Sequence, residues 1–160
     1  MKKKVLALSL LFLSTTLVLL AQDPQLAPCS IFLKEGESVS ARHFGQAECD
    51  GNDFYTGYIM LKGKYMGMIT KLKDYKDIRK LELIGFDKAP EHSTENQKGK
   101  IVVHKKNGII VTLEDAELTI SCMGNDELYN EIKVQVINPL TEKISEKTIP
   151  VMDIKTVIFQ

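Results

Sequence analysis

The sequence predicts an all-β fold, a single antiparallel β-barrel or β-sandwich of about nine short strands built from hairpins. Three observations carry this. After residue 21 the dominant hydrophobic period is two, turn residues recur every eight to twelve positions, and β-favouring runs end at Asn-Gly, Gly-Lys and Asn-Pro pairs. Alternation alone does not choose between barrel and sandwich.

The hairpin over residues 101–113 is the sharpest expectation, because Asn107-Gly108 suits the two positive φ angles of a type I′ turn. That register sets His104 opposite Val111, on the more apolar face. A second hairpin is expected over 57–72, turning at Gly63-Lys64 as a type II′ turn. It would set Met66 and Met68 on one strand face as core filler and Met60 on the other. A third runs from 131 to 149 through Asn138-Pro139-Leu140-Thr141, where Pro139 presets φ. Further strands are expected over 79–86, 117–123 and 153–159, with one or two exposed helical turns at 73–80.

The first 21 residues read as a secretory signal peptide: Lys2-Lys3-Lys4, an apolar run to Ala21, then polar Gln22-Asp23. Residues 22–160 then form a single β-rich domain, exported to the periplasm or the cell exterior, with no transmembrane span after leader cleavage. Leu26-Ala27-Pro28-Cys29 makes a poor lipid-attachment box, since Pro28 stands where a small flexible residue is wanted.

The whole chain balances 21 basic against 21 acidic side chains, and losing Lys2, Lys3 and Lys4 leaves residues 22–160 at −3. A mildly acidic domain lacks the Lys and Arg excess that phosphate-backbone binding needs, so no nucleic-acid partner is expected.

Export permits disulfides. Cys122 alternates with Leu118 and Ile120 as a core residue, which leaves Cys29 and Cys49, both in turn-rich sequence, as the candidate pair. Such a bond would close a loop of about twenty residues, worth roughly 3 kcal/mol in the chain-entropy model. His43, His92 and His104 lie at no metal-ligand spacing.

Acidic groups at 48–53, 114–117 and 125–127 read as solvated turns rather than calcium loops. Lys98, Lys100, Lys105 and Lys106 read as guards of an edge strand. No phosphate loop, nucleophile elbow or Cys-x-x-Cys is present. No catalytic residue, cofactor or metal site is therefore assigned.

The first functional reading is an exported, non-catalytic β-domain of a bacterial cell envelope that binds a protein or polymer partner through loops or a strand edge. A small β-barrel carrier of an apolar ligand is the second, and it requires an enclosed apolar cavity. A small secreted hydrolase using loop carboxylates and a His is the third.

Overall fold

The computed structural model describes residues 27–44, 46–48, 56–86, 97–122, 125–128, 131–138 and 140–160. Residues 1–21, expected to be a signal peptide, and Cys49, His92 and Pro139 lie outside them. Among the described residues, no helix is long and apolar enough to cross a membrane.

The described residues are nearly all sheet. They form β1 (Ala27–Leu33), β2 (Ser38–Phe44), β3 (Gln46–Glu48), β4 (Thr56–Tyr65), β5 (Met68–Leu72), β6 (Ile78–Ile84), β7 (Gly99–Lys105), β8 (Ile110–Cys122), β9 (Asn125–Leu128), β10 (Glu131–Ile137), β11 (Ile144–Pro150) and β12 (Ile154–Phe159). Among the described residues one 3-10 turn, Val151–Asp153, leads into β12. Every pairing is antiparallel, in the order β11-β10-β2-β1-β12-β6-β7-β8-β4-β3, with β5 added to β4 and β9 to β8. The order does not close on itself, which fits a sandwich or an open barrel.

Alternation builds the core. Cys29 and Ile31 on β1, Leu81 and Leu83 on β6, Ile101 and Val103 on β7, and Val157 and Phe159 on β12 point inward and form one buried cluster. One end is filled by rings: Tyr75 stacks on Phe159 at 5.5 Å, and Phe44 meets both edge-on. The buried Tyr75 hydroxyl donates to the Ile59 carbonyl at 2.7 Å, so its polar atom is satisfied where water is excluded.

β8 serves two neighbours because it bends. Glu114 faces Lys64 and Glu117 faces Lys62, so Asp115 and Ala116 together oppose Gly63, and Asp115 takes φ 47°. This is a β-bulge, which kinks the strand from its pairing with β7 toward its pairing with β4.

Several turns differ from expectation. The β4–β5 hairpin turns at Met66-Gly67, with φ 50° and 80°, three residues beyond Gly63-Lys64. Gly63 stays inside β4 because β8 passes so closely: a Cβ there would lie 2.9 Å from Leu113 Cβ and 3.1 Å from both Ala116 Cβ and the Glu114 carbonyl oxygen. The glycine marks a close strand approach rather than a turn.

The β7–β8 hairpin has the expected location but not the expected turn. Gly108 N–H donates to the Lys105 carbonyl and Lys105 N–H to that of Ile109, giving a three-residue loop in which Gly108 alone carries positive φ. The register moves by one, to His104 opposite Ile110. His104 therefore lies on the face of β7 opposite to Ile101 and Val103, outside the core.

In the β10–β11 hairpin, Asn138 Oδ1 accepts from Leu140 and Thr141 N–H, and Glu142 N–H donates to the Asn138 carbonyl. The return strand accordingly starts at Ile144. The segment expected to be helical, 73–80, is instead a tight turn in which Asp74 Oδ1 accepts from Lys76 N–H, followed directly by β6. Twelve described strands replace the nine expected: β1, β2, β3 and β9 are additional, and β8 joins the runs expected to end at 113 and to start at 117.

Candidate functional site

The β4–β5 hairpin breaks the usual rule for surface strands. Its tip is apolar on consecutive turn and strand positions: Met66 is 81 % exposed, Ile69 70 % and Met68 67 %, with Tyr65 beside them at 39 %. The expectation that Met66 and Met68 fill the core is thus overturned, and Met60 is the buried methionine of the three. The cause is the displaced turn. Once β4 runs on to Tyr65, Leu61 pairs with Leu72 and Tyr65 with Met68, and the two methionines leave the protein with the hairpin tip.

Among the described strands β5 pairs with β4 alone, and the register of the hairpin turns the Ile69 N–H and C=O away from β4. The sequence Met68-Ile69-Thr70-Lys71-Leu72 carries one charge. β11, at the end of the sheet, carries Glu146, Lys147 and Pro150, and Lys147 reaches across to an ion pair with Glu37. Charges and proline are the usual means of blunting an edge. β11 has them and β5 largely does not.

The lysines expected to guard an edge lie elsewhere. β7 is an interior strand between β6 and β8, Lys100 pairs with Glu114 at 2.9 Å, and Lys106 Nζ donates to the Gln160 carbonyl.

The acidic run 114–117 lies in β8 rather than in a turn, and its carboxylates are separated by their partners: Asp115 on Lys64 at 2.8 Å, the buried Glu117 on Lys62 at 3.0 Å, and Glu114 on Lys100. The Lys64 ammonium holds the Asp115 carboxyl below its ordinary value. Among the described residues no three His, Cys, Asp or Glu side chains gather to hold a metal.

Cys29 is a free thiol on β1, 1 % exposed, with its backbone between those of Ala41 and Phe159. Burial pushes it up to about 12, far from the thiolate that nucleophilic chemistry requires. Cys49, its candidate disulfide partner, is outside the described residues. His43 is half-buried on β2; burial and then the Arg42 charge push its pKa down, against a hydrogen bond with Gln135.

The outer face of the sheet carries a second cluster. Glu82 on β6 takes the Lys80 ammonium and lies 3.2 Å from His104 Nε2. Lys80 holds the Glu82 carboxyl below its ordinary value, burial opposing and His104 adding a smaller effect. Beside it an open groove of about 550 Å³ runs along β6 and β12. It faces outward and is lined by lysines, unlike the enclosed apolar cavity that a carrier needs. Comparison with protein-family models, curated proteins and solved structures finds no match to this chain.

Proposed function

We propose that the chain is an exported, non-catalytic β-domain of a bacterial cell envelope, and that it binds a protein partner by strand addition along β5. The single observation behind this reading is the unguarded β5 edge with its apolar tip. A partner strand laid on that edge would gain main-chain hydrogen bonds from Ile69, on the side of β5 turned away from β4, and pockets for alternate side chains beside Met68 and Thr70. Burying Met66, Met68 and Ile69 would contribute about 1.5–3 kcal/mol for each side chain fully covered. Export rests on the leader read in residues 1–21.

The test is site-specific photo-crosslinking in the producing cells. A photoreactive residue at position 69 is expected to give one discrete protein adduct, lost on Met66→Ser/Met68→Ser, whereas the same residue at position 147 on β11 gives none. Equal labelling from both positions, or none from 69, would overturn the proposal.

A further inference from the structure

The groove on the outside of β6 and β12 is separated in the sheet order from the β5 edge by β7, β8 and β4. Its lining brings together Lys34 from the β1–β2 turn, Lys80 from β6 and Lys155 from β12, with Glu82 as the only carboxylate among the described lining residues. Among the described lining residues the balance is +2, against −3 for residues 22–160 as a whole. A concentration of one sign in a concave site, opposite to the sign of the rest, focuses the field on an incoming ion.

Two of the three ammonium groups are already positioned. Lys34 Nζ donates to the Phe86 carbonyl at 3.2 Å, and Lys80 is held on Glu82. An ammonium has three donors and each of these contacts uses one, so both lysines keep hydrogen-bonding capacity for a ligand without first losing side-chain freedom. Thr156 adds a hydroxyl, and the half-exposed Ile84 supplies an apolar wall.

We propose that this groove binds an oxyanion, the phosphate or carboxylate group of a ligand, with Lys34 and Lys155 as its principal cationic contacts and Thr156 as a hydroxyl donor. Lys80, neutralised in part by Glu82, sets the far wall. The site is independent of the β5 edge, and either can fail without the other.

The test is a titration of the ¹⁵N-labelled exported chain, followed by amide chemical shifts at constant ionic strength, with inorganic phosphate in one arm and acetate in the other. Saturable shifts centred on Gly85, Lys155 and Thr156, with a millimolar Kd, are expected. The double variant Lys34→Gln/Lys155→Gln should raise that Kd at least about tenfold, as loss of charge-assisted hydrogen bonds does. Lys155→Gln alone leaves the Lys34 contact with Phe86 in place and should raise it severalfold, so a disturbance of the Phe86 segment does not blur the result. Tighter saturation by phosphate assigns a phosphate ligand, and equal or tighter saturation by acetate a carboxylate. Shifts that rise linearly without saturating, or that persist unchanged in both variants, would overturn the proposal.

Discussion

Gly63 and Gly67 sit four residues apart in one hairpin, and exchanging each for asparagine separates a packing glycine from a turn glycine. At position 67, φ is +80° and nothing lies within 4 Å of a new Cβ. Asparagine tolerates left-handed backbone and is favoured in type I′ turns, so Gly67→Asn should change stability by no more than about 0.5 kcal/mol. At position 63 the new Cβ meets Leu113 Cβ at 2.9 Å and two further atoms at 3.1 Å. Two of these are first side-chain carbons and one is a backbone oxygen, so none can yield by rotating a side chain.

Overpacking of that kind costs about 1–3 kcal/mol. Asparagine adds three heavy atoms beyond Cβ, placing Gly63→Asn toward the upper end. At this chain length each kcal/mol shifts Tm by roughly 3–5 °C. Thermal unfolding followed by circular dichroism should therefore show Gly67→Asn near wild type and Gly63→Asn lower by about 6–15 °C. The reverse order would return the turn to Gly63-Lys64 and refute the register from which the exposed tip follows.

Tyr75→Phe should destabilise by about 1–2 kcal/mol in urea unfolding, because the hydroxyl bond to the Ile59 carbonyl is lost in a site closed to water. Burial holds the Tyr75 phenol well above its ordinary value, so its contribution to stability is full below about pH 10 and falls as pH rises through 10 toward the elevated folded value. Ultraviolet titration should show one tyrosine ionising only with alkaline unfolding, and that step should vanish in Tyr75→Phe. Glu82 has the opposite sign: its depressed carboxyl supports the fold above the ordinary carboxylate range and loses that contribution as pH falls through it, so Glu82→Gln should flatten this part of the stability profile. Leu81→Ala, at a fully buried position, should cost about 2–5 kcal/mol by chemical denaturation.

The class of the fold was legible because a period of two survives wherever one face of a strand is buried, as in β6, β7 and β12. Turn position was harder, since glycine has two different uses. Asn107-Gly108 and Gly63-Lys64 both read as two-residue turns, yet the first became a three-residue loop and the second a crossing of β4 against a bulge in β8. That bulge comes from Asp115 and is set by the pairing of β8 with both β4 and β7, which no local window contains. A three-residue displacement of one turn then carried Met66 and Met68 from the expected core to the surface. The groove was equally hidden, because Lys34, Lys80 and Lys155 are brought together only by the order β1-β12-β6. β1 and β2 fall in sequence that reads as turn-rich, because Ser, Gly and Glu between residues 34 and 40 interrupt the alternation the two strands share.

Backbone hydrogen exchange tests strand addition most directly, measured on the protein alone and in complex with the partner crosslinked from position 69. The outward-facing Ile69 amide of β5 should gain protection on binding while the amides of β11, residues 144–150, exchange as before. Unchanged exchange along β5, with new protection confined to other loops or to β11, would contradict the assignment of β5 as the binding edge.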